Sequence, residues 1–377
     1  MDSESLALLA KPALEAFLKP WYQSLEDPER AQHSTLTKLL QHYQQTRYGA
    51  ERKADKISTI EEFRTSFPVV TFQQLKPHID TVMSGDFQAL LAEPPTEWAM
   101  TRGTTGQSKY IPLTQTDLDQ RVACGARGFL NYIYRTDRYD ILEGWDLNLN
   151  FPSVAGVMTV GGREITYGYS SGIYARHNAL RTQVKMVPSQ EAIDALGGGI
   201  SVKDWERRFE LAYEEAKDRD VAAVIGVTQT MLQFASYLKR NHRVYPRDLW
   251  DIDLLICTSI AGIQTKYKPA LRAVYGDAAI VEMYGATEGM YAQQLDEKPY
   301  VVPNYDTYFF EVQTRRGIRM LHELGRGQYG SVIISSCLFP RYRIGDVIRC
   351  MAKGCFRVIG RERRFALLRH LLDTAFR

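Results

Sequence analysis

Thr101 begins the stretch of this chain best suited to binding phosphate, which reads Thr-Arg-Gly-Thr-Thr-Gly-Gln-Ser-Lys and ends at Lys109. Gly103 and Gly106 let the backbone approach a ligand closely, and successive backbone N–H groups in such a turn form an anion-binding concavity. The Thr and Ser side chains supply hydroxyl donors, and Lys109 supplies a point charge. The spacing differs from that of the usual P-loop, so the pattern does not predict a kinase-like or GTPase-like site.

Two later segments carry residues of similar character. The stretch 282–289, Glu-Met-Tyr-Gly-Ala-Thr-Glu-Gly, follows an apolar run and predicts a strand that opens into a polar turn. The stretch 341–346, Arg-Tyr-Arg-Ile-Gly-Asp, precedes a Val/Ile-rich run, and Gly360-Arg361 follows about fifteen residues later. Each charged residue alone fits a solvated surface or a weak ion pair. Their ordered occurrence favours a single nucleotide site.

Together these segments resemble the phosphate loop, the YGxTE and YRxGD segments and the GRxx hinge of the acyl-adenylate-forming superfamily. Within that superfamily the chain resembles the auxin-responsive acyl acid amido synthetase family. Bacterial members of the family also begin with two helical segments and a stretch of the form FP…T…LKP…I…G, which here runs from Phe67 to Gly85. The resemblance extends from about residue 30 to about residue 365.

The resemblance implies an ATP-dependent ligase. A carboxylic acid would attack the α-phosphate of ATP to give an acyl-AMP and pyrophosphate, and an amino acid would then take the acyl group as an amide. Phosphoryl displacement asks a protein chiefly for positioning and charge neutralisation. An acyl-CoA ligase with a thiol acceptor shares every motif quoted, and a non-catalytic descendant that binds a nucleotide or an acyl acid is a third alternative.

The resemblance also assigns roles to residues. Tyr284, with Gly285 and Ala286, would lie against the adenine, and Thr287 would contact the α-phosphate. Glu288 would serve a Mg²⁺ ion, which suits a lone carboxylate with phosphates and waters. Asp346 would accept hydrogen bonds from the ribose hydroxyls, and Arg361 would be a cation near the ribose or phosphate. The set that would hold the β- and γ-phosphates is Thr101, Gly103, Thr104, Thr105, Gly106 and Lys109.

The chain departs from the family pattern at three places. Arg102 stands where the family has a small hydroxyl residue, and it could bind phosphate or point outward. The segment 258–262 is altered before the YGxTE motif. Only 13 residues follow Arg364, whereas relatives carry a further lid domain, so we expect residues 361–377 to be a hinge and a remnant. Their apolar stripe suggests a protein partner or dimer contact and comprises Leu367, Leu368, Leu371, Leu372 and Phe376.

The elements needed to position these motifs can be predicted from local patterns. Apolar spacing predicts helices over 5–25 and 30–46; a capping box is expected at Ser58 and Glu61, and Gly49 is expected to stop the preceding helix. The stretch 144–174 is expected to form strands and turns that line the acyl side. Later strands alternate with helices, which predicts a parallel α/β sheet with ligands at the carboxyl ends of its strands.

The predicted fold class is α/β: a large adenylate-forming domain over 1–360, with mostly parallel sheets flanked by helices. Its N-terminal helices would occupy 1–50, and a small β-barrel-like subdomain would occupy about 305–360.

Composition excludes several other classes of protein. The net charge of +3, from 47 basic and 44 acidic residues, gives no footprint for nucleic acid or an anionic membrane. The five cysteines are too sparse for a disulfide framework and fit a reducing cytoplasm. No stretch has the roughly twenty apolar residues that span a bilayer, and no His/Cys cluster has zinc spacing. The expected partners are small molecules.

Overall fold

A computed structural model describes residues 3–102, 108–182 and 185–362. The chain divides into two compact units. The first unit comprises residues up to 19 together with 95–299, and the second comprises 20–94 together with the residues from 300 onward. The helices are α1 (Ser3–Glu26), α2 (Pro28–Tyr43), α3 (Arg47–Ala50), α4 (Ile60–Ser66), α5 (Phe72–Met83), α6 (Gln115–Thr136), α7 (Ser170–Thr182), α8 (Gln190–Ala195), α9 (Val202–Ala216), α10 (Thr228–Asn241), α11 (Pro246–Leu249) and α12 (Lys268–Tyr275).

The strands are β1 (Glu97–Met100), β2 (Tyr110–Leu113), β3 (Trp145–Leu147), β4 (Gly156–Val160), β5 (Arg163–Tyr169), β6 (Met186–Val187), β7 (Val221–Val227), β8 (Leu254–Thr258), β9 (Ala279–Ala286), β10 (Gly289–Gln293), β11 (Val302–Pro303), β12 (Phe309–Thr314), β13 (Gly317–Met320), β14 (Tyr329–Ser335), β15 (Tyr342–Ala352) and β16 (Cys355–Arg361).

The main sheet of the first unit is largely parallel, as the alternation of strands and helices predicts. Its strands lie in the order β10-β9-β8-β7-β3-β6; β6, β3, β7, β8 and β9 are parallel, and only β10 runs antiparallel. Alternate residues of β8 enter different cores: Leu255 packs with residues of α9, α10 and α12, whereas Leu254 packs with residues of α6. Both faces of the sheet are therefore covered, which explains why its central strands are continuous apolar runs.

A second sheet of the first unit has the order β2-β1-β5-β4. Strand β1 is antiparallel to β2 but parallel to β5, so the carboxyl ends of β1 and β5 lie side by side. Helix α7 starts directly after β5. The prediction of strands and turns over 144–174 is therefore wrong at its end, because Tyr174 belongs to a helix.

The second unit contains a five-stranded antiparallel sheet of order β13-β12-β14-β15-β16, where the sequence predicts a small β subdomain. Helix α2 is fastened to the start of β12 by Gln32, which donates to the carbonyl oxygens of Tyr305 and Tyr308 at 2.9 and 2.8 Å and accepts from the N–H of Phe310 at 2.7 Å. The buried amide thus satisfies backbone groups that would otherwise be costly to desolvate.

Two local predictions about helix ends are corrected by the structure. The capping box of α4 uses Thr59 and Glu62, one residue later than the predicted Ser58 and Glu61; Ser58 instead donates its own N–H to Glu62 at 2.8 Å. Gly49 does not stop α2, which ends at Tyr43, but lies inside α3. A Cβ at Gly49 would lie 1.9 Å from the Tyr43 carbonyl oxygen, so this glycine permits a close backbone approach.

Within the described residues, no helix combines the length and the apolar character needed to cross a membrane.

Candidate active site

The glycine- and threonine-rich stretch is the loop of the β1–β2 hairpin. Thr101 closes its base with two bonds: its N–H donates to the carbonyl oxygen of Lys109 at 2.9 Å, and its Oγ1 accepts from the N–H of Lys109 at 2.9 Å. Lys109 is half-buried. The predicted phosphate-binding residues Gly103, Thr104, Thr105 and Gly106 lie outside the described residues. The hairpin therefore fixes both ends of the predicted loop at the carboxyl end of β1.

The second predicted segment forms the β9–β10 hairpin. Tyr284, Gly285 and Ala286 are the last residues of β9, and Thr287 and Glu288 form the turn before β10. The predicted strand that opens into a polar turn is therefore present, and Tyr284 to Ala286 continue it by pairing with β10. Glu288 is buried, and the Tyr284 ring, also buried, lies 5.8 Å from that of Tyr291. The hairpin turn lies at the carboxyl end of a parallel strand, where the sequence places the site.

Carboxyl ends from both sheets of the first unit meet in one apolar cluster, which we call the end cluster. Its buried members are Phe151, Tyr169 and Val227, which follow or end β3, β5 and β7. The partly buried residues that pack against it are Met100, Ala155, Ile200 and Trp205.

The end cluster reaches the first hairpin of the site and lies two strands from the second. Met100 is the last residue of β1, so the cluster reaches the base of the glycine-rich loop. Val227 ends β7, which is separated from β9 only by β8. Because neighbouring strands are about 4.8 Å apart, the carboxyl end of β9 lies roughly 10 Å along this edge from that of β7.

Arg102 is directed towards the end cluster. Its guanidinium carbon lies 5.4 Å from the centroid of the Phe151 ring, within the range of a cation–π contact. The residue is exposed. The side chain therefore contacts an aromatic ring, and whether it binds phosphate stays a prediction.

In the second unit, Asp346 and Arg361 are direct cross-strand partners on β15 and β16. Nη1 of Arg361 donates to Oδ1 of Asp346 at 2.8 Å. The Asp346 side chain is 11% exposed and that of Arg361 is 58% exposed. Gly345 precedes the aspartate with φ +88°, a conformation that favours glycine. The pairing joins two residues that the sequence analysis assigns to the nucleotide; their roles remain predictions.

Arg341, the first residue of the same motif, has a structural role. Its guanidinium donates through Nε and Nη2 to the buried carboxylate of Glu311 at 2.8 and 3.1 Å, and through Nη1 to the carbonyl oxygens of Arg64 and Phe67 at 3.0 and 2.7 Å. Arg64 donates to Glu311 as well, at 2.8 Å. This ion pair and these hydrogen bonds offset the free-energy cost of burying the charged groups. They fix the start of β15, which carries Asp346.

One polar cluster of the first unit could not be found from the sequence. The carboxylate of Glu97, buried at the start of β1, contacts Arg176 of α7 and lies 2.5 Å from Nε2 of His177. His177 is therefore a histidine with a carboxylate partner. No motif or spacing links residues so far apart in the sequence. The cluster links α7 to β1, the strand that precedes the predicted phosphate-binding loop.

Asp146 is a second buried acid of the first unit that sequence reasoning missed. Its Oδ1 accepts from the N–H of Ile225 at 3.0 Å, at the irregularity between β3 and β7. Burial raises the pKa of this carboxyl well above its usual range. The sequence gives one signal for this acid, the alternating stretch Asp-Leu-Asn-Leu-Asn that begins at Asp146. Alternation places its three polar residues on one face of a strand.

The residues can be tested for their fit to a metal ion. Across the described ranges, no group of three or more His, Cys, Asp or Glu side chains is arranged to hold one. The buried carboxylate of Glu288 fits a different use of metal, in which Mg²⁺ takes one or two protein carboxylates and completes its shell with phosphates and water. Glu288 is the residue that would hold such an ion.

Comparison with solved structures identifies the fold. AtGH3.15 acyl acid amido synthetase in complex with 2,4-DB matches with a TM-score of 0.72 and 15% identity, covering 93% of this chain and 70% of that one. 2-Hydroxyisobutyryl-CoA ligase in complex with 2-HIB-AMP matches with a TM-score of 0.62 and 15% identity, covering 88% of this chain and 67% of that one. The chain therefore shares the α/β fold of these two structures.

Sequence comparison finds similarity to one family. Residues 18–195 match the GH3 family N-terminal domain. Indole-3-acetic acid-amido synthetase GH3.2 of Arabidopsis thaliana is 32% identical over 97 residues, which are 25% of this chain and 18% of that protein. Jasmonoyl-L-amino acid synthetase JAR4 of Nicotiana attenuata is 26% identical over 134 residues, or 34% of this chain and 22% of that protein. These alignments span less than a quarter of either relative.

Proposed function

We propose that the chain catalyses the ATP-dependent adenylation of a carboxylic acid and passes the acyl group to an amino acid, forming an amide. The observation that carries the proposal is the placement of the β1–β2 loop and the Thr287–Glu288 turn at carboxyl ends of strands in one unit. Those ends are where open α/β sheets bind ligands. The GH3 family domain and the names of its relatives support the choice of reaction.

Each residue has a defined task in this reaction. The backbone N–H groups of the loop from Thr101 and the ammonium of Lys109 hold the β- and γ-phosphates, so that negative charge is neutralised as pyrophosphate leaves. Thr287 donates its hydroxyl to the α-phosphate. Glu288 holds Mg²⁺, which supplies charge to the phosphates when it is bound.

The remaining assignments follow the family resemblance. Tyr284 lies against the adenine together with Gly285 and Ala286. Asp346 accepts hydrogen bonds from the ribose hydroxyls, and Arg361, which donates to Asp346 at 2.8 Å, supplies positive charge near the ribose.

Acid-dependent exchange of pyrophosphate into ATP tests the adenylation step. We expect exchange with at least one acid from a broad panel of aryl and alkyl carboxylic acids. The Lys109→Ala variant should lose roughly a hundredfold or more of that rate, the size of effect seen when a preorganised charge-stabilising donor is removed. Lys239→Ala is the matched control, because Lys239 is an exposed lysine at the end of α10 away from the site.

Two outcomes would contradict the proposal. ATP binding without exchange for any acid would favour a binding protein, and equal exchange in the Lys109→Ala and Lys239→Ala variants would remove the loop from the mechanism. Supplying amino acids and CoA as acceptors then separates amide formation from thioester formation. Thioester alone would make the protein an acyl-CoA ligase.

A further inference from the structure

Arg102 is a strongly basic side chain beside the predicted loop that the proposed mechanism leaves without a task. It directly follows Thr101, the residue that closes the base of the loop. Among the residues that the structure describes, its guanidinium contacts the Phe151 ring at 5.4 Å and has neither a carboxylate partner nor a hydrogen-bond acceptor. A guanidinium carries five N–H donors in a planar fork that matches the geometry of a carboxylate.

The surroundings of Arg102 identify the kind of anion that it can meet. Phe151 packs against Tyr169 and Trp205, with ring centroids 5.2 and 4.8 Å apart. The rest of the end cluster, Met100, Ala155, Ile200 and Val227, is apolar. A phosphate chain gains nothing from such surroundings. A carboxylate attached to an apolar body would match both the guanidinium edge and the cluster beside it.

We propose that Arg102 binds the carboxylate of the acid substrate, whose apolar body lies against the end cluster. The inference rests on the proposed function and assigns the residue that selects for and positions the acid. Arg102 adjoins the phosphate-binding loop, so a carboxylate held at its edge lies beside the triphosphate. One carboxylate oxygen attacks the α-phosphorus, the bond between that phosphorus and the bridging oxygen to the β-phosphorus breaks, and pyrophosphate leaves with that oxygen. No proton is transferred in this step.

Calorimetric binding in the absence of ATP measures the contact directly. The probes are benzoate, phenylacetate and hexanoate, each paired with its carboxamide, which has the same body without the charge. We expect the wild type to bind at least one acid, and Arg102→Ala to weaken that acid about tenfold or more, as the loss of a charge-assisted pair does. Arg102→Lys should be intermediate because an ammonium lacks the bidentate edge. The affinity for ATP should change less than twofold in both variants.

The chain offers a matched control in Arg219. It is also exposed and stacked on an aromatic ring, with its guanidinium carbon 4.8 Å from the centroid of Trp145. Trp145 is the first residue of β3, at the opposite end of the strand from Phe151. Arg219→Ala should leave the affinity for every acid unchanged. The thermal unfolding midpoint of each variant separates lost binding from lost folding.

Each result other than the expected one overturns the inference. A loss of ATP affinity in Arg102→Ala with unchanged acid affinity would make Arg102 a phosphate ligand. If the affinities for ATP and for the acids were both unchanged, Arg102 would contribute only its contact with the Phe151 ring. The same conclusion would follow if Arg102→Ala weakened the binding of the carboxamides as much as the binding of the acids. Failure of all three acids to bind the wild type overturns the inference too.

The inference and the proposed function can fail separately. Acid binding that depends on Arg102 without pyrophosphate exchange would keep the inference and reject the adenylation proposal. If Arg102→Ala kept the wild-type rate of acid-dependent exchange and the wild-type KM for the acid, the adenylation proposal would stand and the inference would be rejected.

Discussion

Glu288 is a buried carboxylate in a two-residue hairpin turn, where an exposed acid would be the ordinary choice. If it holds Mg²⁺, Glu288→Gln should lower acid-dependent exchange roughly a hundredfold and raise the Mg²⁺ concentration that gives half the maximal rate. The measurement is the exchange rate against Mg²⁺ concentration. Glu164→Gln, at an exposed position on β5, serves as the control. An unchanged Mg²⁺ dependence in Glu288→Gln would remove the metal role from this residue.

Asp146 predicts a pH dependence of stability. Because burial raises its pKa in the folded state, the folded protein binds a proton that the unfolded chain releases above its ordinary pKa of about 3.9. The free energy of unfolding that this group contributes is therefore present below that pKa and falls as the pH rises towards the higher folded value.

Asp146→Asn removes this titration while keeping an oxygen that can accept from Ile225. We expect the variant to be at least as stable as the wild type at neutral pH, with a flatter dependence of unfolding free energy on pH above about 4. Urea unfolding at several pH values measures both. If Asp146→Asn lowered the free energy of unfolding by the same amount at every pH, the Asp146 carboxyl would not be the source of the pH dependence of stability.

At the scale of elements, strand β5 must pass very close to the segment after β3. A Cβ at Gly168 would lie 1.9 Å from the carbonyl oxygen of Ser153, so Gly168→Ala has to displace backbone. We expect a loss of about 1–3 kcal/mol, typical of overpacking, in chemical unfolding. Gly128→Ala in α6 is the control, since its Cβ would meet neighbours at 3.6 Å and alanine favours a helix. Equal stability of the two variants would contradict the close approach.

Element prediction from the sequence succeeds where local physics decides. The apolar spacing that predicts helices over 5–25 and 30–46 corresponds to α1 and α2. Prediction fails where partners are distant in the sequence. The contact of Glu97 with α7 depends on residues that no local pattern connects.

At the scale of the whole molecule, the sequence predicts the α/β class because buried parallel strands alternate with helices, and the structure confirms it. The site is predictable as three motifs, of which the structure brings the first two to carboxyl strand ends of the first unit. Residues 103–107 and 363–377 lie outside the described part, so the predictions for the loop glycines and for the C-terminal apolar stripe stay predictions. The stacking of Arg102 on Phe151 was not predictable, since it depends on how two sheets meet.

A crystal structure with a non-hydrolysable acyl-adenylate analogue, an acyl sulfamoyl adenosine, would show where the chain holds an acyl-adenylate. The account predicts that the analogue lies at the carboxyl end of β9, with its sulfamoyl group at Thr287 and its acyl carbonyl near Arg102. An analogue bound away from the Thr287–Glu288 turn, or no binding at concentrations that saturate adenylate-forming ligases, would contradict it.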